Sequence, residues 1–249
     1  MYKIIVFTIC ALFVSCNEDI KSIPVIEQNI KDSVLIIKKR TIRKPVVSVL
    51  EKKLIEAGLV DIQKIDSTIY IDIKYSTLDN FMKLDMYGDY DKAYLQKDVA
   101  QKLAKAHSLL KIQFPNYSFL VYDATRPRHV QQMMWDSLKM SDIQKAKFVS
   151  NPKRGSLHNF GAAVDLTIID ENNKILDMGT PYDFIGRLAY PRLEKQYLKE
   201  GKLTQNQINN RILLRETMYK AGFTGITTEW WHFNSCSRNK AKEIYKIVE

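Results

Sequence analysis

Apolar residues at Val99, Leu103, Ala106 and Leu110 recur at the spacing of one helix face, which predicts a helix that also carries His107. With only helical context, His107 reads as a surface or core-edge residue rather than a ligand. Upstream, Thr68 to Tyr75 alternates well enough for a strand. Ser118 to Tyr122 predicts a second strand, which delivers Asp123, Arg126 and Pro127 to a turn. Pro127 biases Arg126 away from helical backbone. A helix then follows through Met140, with His129 capping or packing at its start. Val164, Leu166 and Ile168 alternate with Asp165 and Thr167, so a strand can bury its apolar side chains and point Asp165 into a cleft. Asp170 to Lys174 reads as a turn into another strand. Thr204 to Ala221 carries Ile208, Ile212, Leu213 and Met218 on a helix that Gly222 stops. Thr227 to Phe233 is aromatic and β-prone. Strands and helices mixed without regular βαβ alternation predict an α+β fold.

The remaining composition is that of a globular chain: 249 residues, 45% hydrophobic and 10% aromatic, enough for one domain with a good-sized core. No internal repeat or low-complexity tract interrupts it. Lys and Arg number 38 against 28 Asp and Glu, for a net charge of +10. Half of that excess lies in residues 1–55, densest at Lys38, Lys39, Arg40, Arg43 and Lys44. No aromatics or recognition element accompany the run, so nucleic-acid binding is not expected. It reads as a solvated tether, with attraction to an anionic membrane surface or wall polymer as the functional alternative.

The amino terminus reads as an export signal. Lys3 precedes an apolar stretch from Ile4 to Val14, short of the roughly twenty residues that a bilayer span takes. Phe13-Val14-Ser15-Cys16 follows, similar to a bacterial lipobox in which Cys16 would be acylated, but with Phe in place of the usual Leu, so that ordinary cleavage leaving a free Cys16 is the alternative. The expected organisation is a signal peptide over 1–15, a basic tether over 16–57 and a catalytic domain over 58–249, exported and either periplasmic or membrane-anchored in a bacterial envelope. Cys236 is then left without a partner and reads as a packed thiol.

Only four histidines occur, and two fall in chemically suggestive segments. One is Ser156-Leu157-His158-Asn159-Phe160-Gly161-Ala162-Ala163-Val164-Asp165; the other is Glu229-Trp230-Trp231-His232. Two imidazoles and a carboxylate suit a catalytic metal that keeps one position open, and Glu229 supplies a nearby base. Taken alone, the His158/Asp165 spacing is better explained by a hydrogen-bonded core pair. Glu229 and His232 would face opposite sides of a regular strand. To reach one metal, that strand must end, bulge or turn near Trp231.

The ordered motifs resemble the VanX-type D-alanyl-D-alanine dipeptidases, zinc D,D-peptidases of the Hedgehog/DD-peptidase fold. The resemblance runs from about Ile62 to about Phe233. It covers Lys74 to Phe81, Tyr122-Asp123-Ala124-Thr125-Arg126-Pro127, the Ser-x-His-x-x-Gly-x-Ala-x-Asp motif at 156–165, Met178 to Asp183, Asn210 to Met218 and Glu229 to Phe233. It implies a single domain with a central, mainly antiparallel sheet and flanking helices. By the same resemblance His158, Asp165 and His232 would hold one zinc ion. Glu229 would act as general base and acid, Arg126 would stabilise the oxyanion, Ser156 would hold the substrate carboxylate and Asp183 its amino group.

The implied reaction is hydrolysis of D-Ala-D-Ala to two D-alanines, serving salvage from wall turnover. The alternative is a D,D-carboxypeptidase or endopeptidase trimming peptidoglycan stem peptides. A zinc-bearing binding domain without activity is a third reading, disfavoured by the presence of both Glu229 and Arg126. Two departures bear on the pocket: Thr125 stands where relatives often carry Tyr or another bulky residue, and Phe184 to Tyr190 lacks the Ser-His that often follows in the family.

Overall fold

The computed structural model describes residues 47–146 and 148–249. The folded unit starts with helix α1 (Val49–Glu56), whose N-cap Ser48 accepts the Glu51 amide at 3.0 Å. Leu54 is fully buried, and Glu51 accepts hydrogen bonds from Lys92 Nζ at 2.6 Å and Tyr94 Oη at 2.8 Å. The compact unit therefore begins at Val47, ahead of the boundary at 57/58 read from the sequence. Two turns of helix are too short to display a hydrophobic period. The signal segment, Cys16, the basic run at 38–44 and the tether up to residue 46 lie outside the described residues.

Next come β1 (Val60–Asp61), α2 (Ile62–Ile65), β2 (Tyr70–Ile71) and β3 (Tyr94–Leu95). β1 and β3 form a separate antiparallel pair. The strand expected over Thr68 to Tyr75 shrinks to β2, because the chain enters a 3-10 turn at Lys74–Ser76 and sends Tyr75 into the core.

Helix α3 (Lys97–Gln113) buries Val99, Leu103, Ala106 and Leu110 as expected, and packs on α7 (Gln205–Lys220) and β4 (Ser118–Asp123). His107 departs from expectation: it shares that apolar face and is fully buried. Its Nδ1 lies 2.7 Å from Asp66 Oδ2 and its Nε2 lies 2.9 Å from Ser118 Oγ. Ser118 Oγ donates its proton to the Thr68 carbonyl at 2.6 Å. This network resembles a hydrolase triad in connectivity only. It is a buried bracket joining α3 to β4 and the turn after α2, with its polar groups satisfied by segments remote in sequence.

Helix α4 (Arg128–Ser137) stops before Met140, as Leu138 turns to extended backbone at ψ 114°. His129 is exposed and neither caps nor packs; Pro127 occupies the N-cap with no side-chain bond. The remaining elements are α5 (Asp142–Lys145), β5 (Ala163–Ile169), α6 (Glu194–Lys199), β6 (Thr224–Gly225), β7 (His232–Asn234) and α8 (Arg238–Ile244). A Thr204/Gln207 capping box opens α7. Beyond its end, Gly222 takes φ +94°, which a Cβ would strain.

The main sheet runs β2-β4-β5-β7-β6, parallel only between β2 and β4. This is the expected α+β arrangement with a mainly antiparallel sheet. β5 sits at its centre, buried at every position, Thr167 included. The turn after it forms, since Asp170 N–H bonds Lys174 O at 2.9 Å, but only a bridge between Ile169 and Ile175 follows where a strand was expected.

Candidate metal centre

Neighbouring strands set one row of the site. Asp165 on β5 stands opposite His232 on β7 and opposite Asp123 on β4, so the three side chains share a face. A register shift between Val121 and Asp123 marks a bulge that aims Asp123 into this row. The irregular segment before β7 resolves the difficulty with Glu229 and His232. The strand starts only at His232, so residues 229–231 are free to turn and Glu229 faces the same cavity.

His158 arrives from the other direction, on the 3-10 turn His158–Phe160 that Gly161 closes at φ +65°. A Cβ on Gly161 would lie 2.7 Å from Leu59 Cδ2 and 2.9 Å from Thr125 Oγ1. The turn is fastened by Arg126 N–H donating to His158 O at 3.1 Å and by Asn159 Nδ2 donating to Arg126 O at 2.7 Å.

Three ligand atoms converge. His158 Nε2 lies 3.1 Å from His232 Nδ1 and 3.4 Å from Asp165 Oδ1, and His232 Nδ1 lies 2.9 Å from that same Oδ1. Each imidazole is oriented from its far side. His158 Nδ1 donates to Ala124 O at 2.6 Å, and His232 Nε2 meets Asn234 Oδ1 at 2.9 Å. Those outer bonds assign the facing nitrogens as unprotonated in the neutral rings. Two lone pairs and a carboxylate oxygen 2.9–3.4 Å apart repel unless a cation or shared proton joins them. Tetrahedral zinc with bonds of about 2.0–2.1 Å holds its donors about 3.3 Å apart, so the donor set fits such an ion.

The charges respond accordingly. Burial pushes the Asp165 carboxyl up, but the charge and hydrogen bond of His158, then those of His232, outweigh it and hold Asp165 far below the carboxylate range. Burial also disfavours charge on His232, yet Asp165 beside it carries that imidazole up to about 9. Burial raises Glu229 above its ordinary value, against the pull of His232.

Around this centre three carboxylates are each held by a tyrosine. Tyr182 Oη donates to Asp165 Oδ2 at 3.1 Å, Tyr87 to Asp123 Oδ1 at 2.8 Å and Tyr75 to Asp183 Oδ1 at 3.2 Å. Burial keeps all three phenols protonated, so they satisfy oxygens without adding charge. Arg126 places Nε and Nη2 on Asp123 Oδ2 at 3.0 and 2.5 Å and lies 4.9 Å over the Tyr75 ring. Burial, then the charge of Asp165, pushes the Asp183 carboxyl up to about 8. Its Oδ2 has no partner among the described residues, and its φ of +58° is left-handed.

These groups line a cavity of about 530 Å³ that takes in His158, Asp165, His232, Glu229, Arg126, Ser156 and Asp183. All seven site residues expected in the folded domain thus face one space. Ser156 Oγ there donates to Gln131 Oε1 at 2.7 Å. Thr125 does not reach the cavity: its hydroxyl is buried against Tyr94 O at 2.6 Å. The segment lacking Ser-His does, through Phe184, Ile185, Gly186, Arg187 and Tyr190. Sequence reasoning missed the three tyrosines and gave Asp123 no role. For Asp123 the only available signal was its place three residues before Arg126.

A family model described as D-ala-D-ala dipeptidase (Peptidase M15) matches residues 55–248. The chain belongs to this peptidase family. A D-alanyl-D-alanine dipeptidase of Escherichia coli K12 is 33% identical over 175 residues, covering 70% of this chain and 83% of that one. Another from Enterococcus faecium is 26% identical over 193 residues, covering 72% and 91%. A third, from Enterococcus faecalis, is 24% identical over 192 residues, with the same two shares. Membership makes this chain a peptidase.

Proposed function

We propose that the chain is a zinc-dependent D-Ala-D-Ala dipeptidase. The supporting observation is the meeting of two outward-bonded imidazoles and Asp165 at ligand spacing, on a cavity wall shared with Glu229 and Arg126. His158, Asp165 and His232 would hold one zinc ion, leaving a coordination position open. When bound, zinc supplies Lewis acidity: it lowers the pKa of water to about 7 and polarises a scissile carbonyl.

The remaining steps belong to the chain. Glu229 takes a proton from the attacking water as oxygen bonds to the carbonyl carbon. Arg126, fixed by Asp123, faces the developing oxyanion, a role whose loss commonly costs about 3 kcal/mol of transition-state stabilisation. Glu229 then returns the proton to the amine nitrogen as the C–N bond breaks, and two D-alanines leave. Ser156 turns its hydroxyl from Gln131 to the substrate carboxylate. Asp183, with one oxygen lacking a partner among the described residues, receives the free ammonium, whose charge favours the ionised carboxylate against the burial that raises its pKa. An N-blocked or longer peptide would leave that buried oxygen without a partner, which penalises such substrates.

The test compares D-alanine release from D-Ala-D-Ala, N-acetyl-D-Ala-D-Ala and a stem pentapeptide. Activity confined to the free dipeptide supports the reading; preference for the blocked or longer peptides moves the enzyme to wall trimming.

We also infer an exported, lipid-anchored protein, from the apolar stretch Ile4 to Val14 and from Cys16. Placed there, the enzyme cannot drain the cytoplasmic dipeptide pool and would salvage D-alanine from wall turnover. Fractionation that finds the mature protein in the cytoplasm contradicts this.

A further inference from the structure

Helix α7 carries a charged residue with no part in the reaction described above. Arg211 is fully buried. Its Nε donates to Met178 O at 2.7 Å and its Nη1 donates to Leu188 O at 3.1 Å. Those two carbonyls bracket the segment 178–188, which carries Tyr182 and Asp183. Apart from the 3-10 turn Arg187–Ala189, the segment has no regular structure to hold it. It must nevertheless support Asp183 at a positive φ with one carboxylate oxygen unpaired, and Tyr182 bonded to Asp165. Such a conformation persists only where its surroundings fix it.

One side chain can span both ends because the guanidinium is a rigid, forked donor. The neighbouring turn of α7 reinforces the entry. Asn210 Nδ2 donates to Asp177 O at 2.8 Å, and Gln207 Nε2 donates to Asp177 Oδ2 at 2.9 Å. Glu194 lies 3.8 Å from Arg211 and is itself gripped by Arg215 at 2.9 and 3.1 Å, so it offers counter-charge without competing closely for the fork. Burying an arginine is costly, and an apolar side chain would fill the same space with less desolvation.

We propose that Arg211, assisted by Asn210, is a positioning residue for substrate selection: it clamps both ends of segment 178–188 and so fixes Asp183 where the substrate ammonium is read. The inference rests on the amino-group role given to Asp183. Loss of the clamp lets the segment shift, and the free dipeptide loses its advantage over a substrate of equal length that has no ammonium.

The experiment measures kcat and KM of the metal-loaded enzyme for D-Ala-D-Ala and N-acetyl-D-Ala-D-Ala, with Tm alongside, in Arg211→Lys, Asn210→Ala and Asp183→Asn. Lysine can hold one carbonyl but not both. For Arg211→Lys the KM for the free dipeptide should rise about ten- to hundredfold, the scale of one hydrogen bond from a charged group, with kcat far less affected. The preference for the free over the blocked substrate should narrow by the same factor. Asn210→Ala should move it the same way by a smaller factor, and it decides the matter if Arg211→Lys does not fold. A purely structural arginine would lower Tm and the activity toward both substrates together, leaving their ratio unchanged. That unchanged ratio, while Asp183→Asn collapses it, overturns the clamp alone. An unchanged ratio in Asp183→Asn removes the amino-group reading and the inference with it.

Discussion

The facing nitrogens of His158 and His232 lie 3.1 Å apart, and each ring is tied through its other nitrogen to an oxygen acceptor. Without a cation or shared proton that approach is repulsive. Bound zinc would be held by both of these nitrogens, which the fold already places at ligand spacing.

His158→Ala should therefore lose both bound zinc and turnover, since two ligands hold the ion far less well than three. Glu229→Ala should keep metal near wild-type content while kcat falls by about a thousandfold or more, as expected when a general base is removed. Metal analysis of the purified variants beside steady-state rates checks both. Loss of zinc in Glu229→Ala would reassign that residue as a ligand.

Asp123 is expected to matter through Arg126. Its Oδ2 holds two guanidinium nitrogens, while its Oδ1 is pinned by Tyr87. Asp123→Ala should lower kcat/KM about a hundredfold, near the loss from removing an oxyanion donor outright. Tyr87→Phe deletes one hydrogen bond and should cost about tenfold or less. Equal effects of the two on kcat/KM would contradict this ordering.

Gly161→Ala combines a positive φ with close contacts to Leu59 and Thr125. A destabilisation of about 1–3 kcal/mol is expected, with weaker zinc binding because the strained turn carries His158. Thermal unfolding and a zinc affinity titration measure the two effects. Wild-type values in both would mean that the turn relaxes freely.

Helix α1 is expected to contribute to the domain's stability. Leu54→Ala should cost about 2–5 kcal/mol, as for other fully buried leucines. Glu51 adds a pH-dependent part. Burial raises its carboxyl, but hydrogen bonds from Lys92 and Tyr94 outweigh that and leave it below the usual 4.5. The folded state thus binds the proton less readily than the unfolded chain. Its contribution is present above about pH 4.5 and is lost as pH falls through the lower folded value. Glu51→Gln should lower Tm at pH 7, by an amount that shrinks towards pH 3. A deficit that grows on acidification would reverse the sign of the linkage.

What the sequence revealed depended on how local the signal was. His158 and Asp165 stand on one short motif, and the alternation around Asp165 was enough to aim it at a cleft. Glu229 and His232 needed one further condition, a strand that begins late, and β7 begins at His232. Long-range partners left no local trace. Tyr75, Tyr87 and Tyr182 look like ordinary core aromatics until the fold brings their hydroxyls to three carboxylates. His107 looked peripheral because Asp66 and Ser118, which make its burial tolerable, lie on other elements. The short elements differ for other reasons: the two turns of α1 cannot carry a readable period, while the alternation from Thr68 to Tyr75 is real but the 3-10 turn at Lys74–Ser76 cuts the strand to β2.

The most direct test of the metal-centred account is to strip the purified enzyme with a chelator, return zinc in measured amounts and follow D-alanine release from D-Ala-D-Ala. Activity that vanishes on stripping and returns in full at one zinc per chain is the expected result. Undiminished D-alanine release from metal-free protein would contradict it.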